Sequence, residues 1–401
     1  MQARRVATLL GMLAVSAWMT TVVLTQTGSP TEAPAGFDGG SNGFKTGLDF
    51  DEALGEFTGP ETAADGLGPV FNGAGCGECH AVPIIGGTSQ TFERRAGRFD
   101  GNNFIDHAGG SLIQDRALDP RVQEKVNSGT NVVALRSSLS VLGDGFVEAI
   151  DSNDIQNGAQ AQPSSVRGTV IQVPVAEAPG QRRVGRFGWK DQQASLLSFA
   201  ADAYKNEMGI TSPLEPLEND NNGRALPPGL DLFTEPEDDG ADVQLFADFM
   251  RSTKVPPVDQ DIANTASAQA GSDLFNQVGC AQCHTRRFVT ARAGTSINGG
   301  QFRVPTALGN KIVRPFSDFL LHNVGTGDGI VQNGGAGTRN MVRTAPLWGM
   351  RARGRLMHDG RAHSVNDAIQ AHGGQATAAR NAFNALSSAN RQRVLTFLSS
   401  L

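Results

Sequence analysis

The sequence predicts a mainly α protein made of two copies of one helical unit, with extensive loops and little sheet. Three observations carry that expectation. Glycine is abundant, at 49 of 401 residues, and hydrophobic residues make up only 39%. That composition suits a loop-rich chain rather than a dense sheet sandwich. A pattern also recurs: Phe71, Asn72 and Gly75 precede Cys76 at the same offsets at which Phe275, Asn276 and Gly279 precede Cys280, the mark of an internal duplication. Finally, most apolar residues near these repeats follow helical spacing, while strand signals are sparse.

The elements follow in chain order. Arg4 and Arg5 precede an uncharged run from Val6 to Leu24, which reads as an export signal. Ala33-Pro34-Ala35 offers a cleavage region; left uncut, the run is long enough to act as an anchor. Residues 1–35 are therefore read as signal peptide (or N-terminal anchor) and the start of a flexible segment. Residues 36–43 are Gly-rich and expected to be disordered. A first region spans 36–260 and a second 261–401. In the first, Leu67, Val70 and Phe71 read as a short helical approach to Cys76. Residues 165–175 are the best strand candidate, 213–241 a surface loop, and Val243 to Met250 a helix, followed by a linker at Val255-Pro256-Pro257. In the second, Ala270, Leu274, Phe275 and Val278 lead helically into Cys280. Ser364 opens a helix that ends at Gly373-Gly374. The last helix starts at Ser387 or Ser388 and carries Val394, Leu395, Phe397, Leu398 and Leu401.

The repeated pattern has a chemical reading. Cys76-Gly77-Glu78-Cys79-His80 and Cys280-Ala281-Gln282-Cys283-His284 are attachment sequences for c-type haem. Two residues between the thiols let one turn present both sulfurs to neighbouring vinyl groups, and the histidine then lies under the iron. A zinc site or a redox disulfide would use the thiols but leave both histidines idle. All four cysteines fall inside these units, so none remains for a structural bridge. The sequence thus implies two covalently bound haem c groups in two cytochrome c-like haem domains. Net charge is −6, pI about 5.7, and no basic run stands out, so nucleic acid is not an expected partner.

The second axial ligand decides what a haem does: a strong one gives electron transfer, an open site permits chemistry on small oxidants. His80 and His284 are already used. Val365, Ala368, Ile369 and His372 share one helical face, which makes His372 the candidate ligand for the second iron. Met357 is the runner-up, and His358 is read as supporting this loop. The first haem has no comparable candidate; His107 lies in a Gly-rich stretch and reads as a loop residue or a displaceable ligand. An open first site is the working expectation. Glu148, flanked by apolar residues, would have its pKa raised by burial and serve as acid–base. Trp189 is placed as an electron relay between the haems, and Trp348 as core.

Several stretches resemble the di-haem oxidoreductase family of peroxidase type. They are Gly66-Leu67-Gly68-Pro69-Val70-Phe71-Asn72, Gly145-Phe146-Val147-Glu148-Ala149-Ile150, Gly185-Arg186-Phe187-Gly188-Trp189-Lys190, Met208-Gly209-Ile210-Thr211-Ser212-Pro213, Leu320-Leu321-His322-Asn323-Val324-Gly325, Arg343-Thr344-Ala345-Pro346-Leu347-Trp348-Gly349 and His358-Asp359-Gly360-Arg361-Ala362 through His372-Gly373-Gly374. More distantly, the layout is similar to bacterial di-haem cytochrome c peroxidases, to the di-haem enzyme that matures tryptophan tryptophylquinone, and to di-haem rubber oxygenases. The resemblance implies a catalytic N-terminal haem fed by the C-terminal one, and a calcium ion between the regions whose ligands it leaves unassigned. In the peroxidases a methionine commonly holds the second iron. His372 at the matching position implies a bis-His haem of lower potential.

The resulting expectation is an exported, periplasmic di-haem oxidoreductase of peroxidase type. Its open N-terminal haem is fed electrons by a bis-His C-terminal haem. Expected partners are a small redox protein or quinol-linked donor, and peroxide or a similar small oxidant; membrane association follows only if the N-terminal segment is uncleaved. The alternatives are a non-enzymatic electron carrier and a haem oxygenase acting on an apolar substrate.

Overall fold

The computed structural model describes residues 28–401, apart from 220, 221 and 232. The export signal read over Arg4 to Leu24 lies outside the described residues. Helix accounts for 30% and strand for 16%, so helix leads, but there is more sheet than the sequence predicted. The largest sheet is four-stranded and antiparallel. Its central strand, Phe92–Phe99, pairs with Phe104–Asp106, Leu112–Ile113 and Val132–Ser137. The central strand reads FERRAGRF and shows no clean alternation of apolar and polar residues. Its charges are tolerated because they are paired: Arg95 lies 2.7 Å from Glu93, and Arg136 on the neighbouring strand is clamped by Asp328 and Gln332. The predicted strand at 165–175 shrinks to Gln172–Pro174, paired with Arg182–Val184.

The first Cys-x-x-Cys-His unit is approached differently from the expectation. Val70–Phe71 is a strand paired with Arg116–Ala117, not a helical approach; Gly68, at φ 92°, turns the chain out of any helix there. The helix that serves the first attachment turn is Leu48–Thr58. Its Phe57 ring lies 6.2 Å from His80 at 56°, matching Phe275 and His284 at 6.2 Å and 55°. Sequence offset aligned Phe275 with Phe71; packing aligns it with Phe57. The intervening loop closes on itself where Gly75 meets Gly59, so near that a Cβ on Gly75 would sit 2.5 Å from the Gly59 carbonyl oxygen.

The second copy matches its reading closely. Helix Ala266–Gln277 is capped by Thr265 and leads into Cys280. Helix Val365–Ala371 is capped by Ser364, whose oxygen accepts the Asp367 N–H at 3.0 Å. The last helix, Ser388–Ser399, is capped by Ser387. It crosses helix 266–277 at Gly271, where a Cβ would lie 1.9 Å from the Arg393 carbonyl oxygen. Helix Ala241–Ser252 extends the predicted Val243–Met250 at both ends.

Two cores result. The smaller gathers Phe275, Phe316, Phe383, Val394, Phe397 and Leu398 around the second copy. The larger includes Phe146, Ile150, Leu196 and Phe249, together with Val313, Leu320 and Trp348 from much later in the chain. The cores therefore do not part at residue 260, because the loops of 288–348 fold back onto the first region. The N-terminal stretch is also built in. Thr31–Glu32 pairs in parallel with Lys311–Ile312, and the backbone of Pro34 and Gly36 bonds to Val255. Residues 36–43 are not disordered: the Asn42 amide donates to the carbonyls of Arg251 and Thr253. Among the described residues no helix is long and apolar enough to cross a membrane.

Candidate functional site

Each attachment sequence folds as one tight turn. The His80 N–H donates to the Cys76 carbonyl at 3.0 Å, and the His284 N–H to that of Cys280 at 3.0 Å. Both sulfurs and the imidazole of a unit thereby face one cavity: Cys76, Cys79 and His80 line the first, Cys280, Cys283 and His284 the second. The two thiol pairs occupy different cavities, and no metal-binding cluster among the described residues gathers them. The four thiols therefore cannot share one zinc; Cys283 alone falls in a compact metal-capable group, with Asp318 and His322. Burial pushes all four thiols up, Cys76 and Cys283 to about 12 and Cys79 and Cys280 to about 11.

The imidazoles are set for metal. Nδ1 of His80 faces the Gly87 carbonyl at 3.1 Å, Nδ1 of His284 that of Phe316 at 2.9 Å, and Nδ1 of His372 that of Ala368 at 2.6 Å. A backbone acceptor on Nδ1 fixes the tautomer that leaves Nε2 free as a ligand. Burial lowers all three pKa values, His284 to about 4, with the facing His372 adding to the effect there. The rings remain neutral, the form that binds a metal.

The cavities differ in what stands opposite that histidine. In the second, of about 430 Å³, the His284 and His372 ring centres lie 6.4 Å apart. Metal–imidazole bonds of about 2.0–2.1 Å, plus roughly 1 Å from nitrogen to ring centre, separate two rings around one metal atom by about 6 Å. Donor set, spacing and volume all fit a haem held between His284 and His372. Met357 and His358 also line this cavity; Nδ1 of His358 has no hydrogen-bond partner, and its ring packs edge-on to Trp189 at 6.0 Å. The first cavity is narrower, about 190 Å³, and His80 is its only histidine, though Met208 and Met250 are in its wall. His107 lies elsewhere, with Nε2 accepting the Asn127 N–H.

Glu148 corrects the sequence reading. It is fully buried but does not line the first cavity. Arg251 grips it at 2.7 and 3.0 Å, while Leu196 N–H and the Asn298 amide complete its shell. Burial alone would raise its pKa. The Arg251 charge and these hydrogen bonds outweigh burial and lower it, so the carboxylate is locked as a structural anion with no access to the site.

Four carboxyls that the sequence did not single out do line the first cavity, Glu93, Asp144, Asp202 and Glu207, and two of them are notable. Asp144, one turn before Glu148, makes no side-chain hydrogen bond among the described residues, and burial raises it to about 7 despite the nearby Arg343 charge. Glu207 accepts from Asn72 at 2.7 Å and is raised to about 8 by burial and by its neighbour Glu93. Glu207 sits on a single π-helical turn, Tyr204–Met208, that continues helix Leu196–Ala203. Such turns recur at functional sites and would have been the one sequence-independent pointer to it. Trp189 lines both cavities, as do Arg343 and Ser137–Leu139. Its indole N–H donates to the Ser137 carbonyl at 2.8 Å, and its own carbonyl accepts the Arg343 N–H at 2.8 Å.

The resemblance placed a calcium ion between the regions. The compact carboxylate groups Glu56–Glu61–Asp242 and Glu218–Glu235–Glu237 lie wholly in the first region. The contact across the regions instead holds a buried ammonium: Lys190 Nζ donates to the carbonyls of Thr338 and Arg339, both at 3.1 Å, and pairs with Asp328 at 3.1 Å.

Comparison with known proteins adds the family. A search of curated proteins gave no match. Among solved structures, the chain is similar to hydrazine synthase of Kuenenia stuttgartiensis, at 14% identity and TM-score 0.43, covering 98% of this chain and 100% of that one. It is also similar to a MauG-like protein associated with microbial copper homeostasis, at 19% identity and TM-score 0.27 over 42% of this chain and 55% of the other. A variant of the diheme peroxidase BthA from Burkholderia thailandensis matches at 13% identity and TM-score 0.40, over 93% and 90%. The family profile described as "di-haem oxidoreductase, putative peroxidase" matches residues 112–401, which takes in the second attachment sequence and begins after the first. The chain therefore belongs to the di-haem oxidoreductase family.

Proposed function

We propose that this protein is an exported di-haem c-type peroxidase with unequal sites. Two cytochrome c-like units, 36–260 and 261–401, each carry one covalently held haem, on Cys76, Cys79 and His80 and on Cys280, Cys283 and His284. The observation that carries the reading is the facing pair of imidazoles, His284 and His372, in the second cavity, against His80 alone in the first. Haem held between His284 and His372 supplies one-electron transfer, and haem held by His80 alone supplies redox chemistry on a small oxidant. Overall, hydrogen peroxide takes two electrons and two protons and gives two water molecules.

The chain's own groups supply what that reaction needs. Asp144, whose side chain makes no hydrogen bond among the described residues and whose pKa is raised to about 7, is matched to accept a proton from peroxide and return it. Trp189 and Arg343 form the wall common to both cavities, where an indole shortens the path for electrons. A small redox protein or quinol-linked donor supplies the electrons. The N-terminal signal supports export to the periplasm; cleavage at Ala33-Pro34-Ala35 would remove the strand Thr31–Glu32 that pairs with Lys311–Ile312, so the cut is placed ahead of Thr31 instead.

Optical and electron-resonance spectra of the purified ferric protein test this reading. One low-spin bis-His haem and one high-spin or easily displaced site, with peroxide turnover, are expected. The methionines in the first cavity favour a second reading. If Met208 or Met250 locks the first iron, the protein is a two-haem electron carrier, and both sites are then low-spin with no turnover.

A further inference from the structure

The first cavity adjoins a second, polar hollow of about 390 Å³. Gln192 and Asp202 stand in the walls of both. The hollow's wall also holds Asp106, Ser111, Glu215 and Gln332, and no lysine or arginine among the described residues. The shared residues are held in place. Gln192 Oε1 accepts the Lys190 N–H at 2.9 Å, and Asp202 Oδ1 accepts from the Asn206 amide at 3.0 Å. Asn206 itself lines the first cavity. Ser111, in the hollow, accepts from Arg95, on the cavity wall, at 3.2 Å. Nearby cations are already engaged: Arg95 with Glu93 at 2.7 Å and Lys205 with Glu215 at 3.4 Å.

From this arrangement we propose that the hollow is the entrance to the first site, that Gln192 and Asp202 form its neck, and that it admits small uncharged hydrogen-bonding molecules while turning away anions and bulky apolar substrates. Asp106 and Asp202 form no salt bridge among the described residues, and Arg95, the cation that acts on both, is already paired with Glu93; the negative potential that remains repels anions and leaves neutral molecules unaffected. Amide, hydroxyl and carboxylate groups replace the water shell that a molecule such as hydrogen peroxide sheds on entry. The wall offers an apolar chain little in return, which disfavours the oxygenase alternative. The proposal rests on the open first site proposed above.

Stopped-flow spectroscopy of the haem-loaded protein tests it, with hydrogen cyanide (neutral at neutral pH) and azide (an anion) as probes of the first site. Asp202→Asn is expected to speed azide association about tenfold and leave that of hydrogen cyanide unchanged. Gln192→Trp, which narrows the neck, is expected to slow both. The second-site spectrum, unchanged in each variant, reports that the protein is folded. Parent-like rates for both probes in both variants would overturn the entrance. Failure of the parent protein to bind either probe would overturn the open site itself, and the entrance with it.

Discussion

Asp144 and Glu148 lie one turn apart on the same short helix, and their surroundings give them opposite chemistry. Glu148 looked the better acid–base from its apolar neighbours, but sequence does not show that Arg251, far along the chain, reaches it. Asp144 sits among glycines and carries no sequence signal; only the tertiary wall reveals that it faces the cavity. Asp144→Asn is expected to lower peroxide turnover by about 10²–10⁴-fold while leaving both haem contents intact. The active form is the carboxylate, so the rate in the parent protein should rise with pH through about 7, read from a pH profile of the bimolecular rate constant. Glu148→Gln should act on stability instead. It strands the buried Arg251 charge, and denaturant unfolding should show a loss of about 3–5 kcal/mol. Because the Glu148 pKa is lowered below its ordinary 4.5, its ion pair stabilises the fold above that pH and fades as pH falls through the folded value.

Among elements, those with local signals were readable. Helix 365–371 was marked by Ser364 and an apolar face ending at His372, and helix 388–399 by Ser387 and its apolar repeat. The two Cys-x-x-Cys-His turns were readable for the same reason, since each is closed within five residues by the histidine N–H on the first cysteine's carbonyl. The central strand 92–99 was not, because its charged residues break the apolar alternation: Arg95 pairs with Glu93 on the same strand and Arg94 with Asp115. Nor was the helix that serves His80, because a loop separates Phe57 from Cys76. Helix 266–277 depends on Gly271, where the backbone of the last helix leaves no room for a methyl group. Gly271→Ala should cost about 1–3 kcal/mol or more through overpacking. A thermal melt followed at the second haem's absorbance would show an earlier transition, and an unshifted melt would mean the two helices part without cost.

At the scale of the whole molecule, two cavities share one wall, and that wall is where their functions meet. Trp189→Phe keeps an aromatic ring but removes the N–H that holds the Ser137 carbonyl. It should slow electron transfer between the haems, followed after pulsed reduction, while leaving both resting spectra unchanged. An unaltered rate would assign the path to Arg343 and the 137–139 segment instead. The sequence pointed to Trp189 because few tryptophans exist to choose from, but it gave no hint that residues 288–348 fold back to complete the first core.

That fold-back has a consequence for how the chain is made. Thr31 finds its partner Lys311 280 positions later, so the leading end leaves the ribosome or translocation channel long before its mate. Its docking is a late event in folding, slowed by the loop that must close first. A polypeptide stalled or clipped before residue 311 would carry this end as a loose strand, ready to associate with a neighbouring chain.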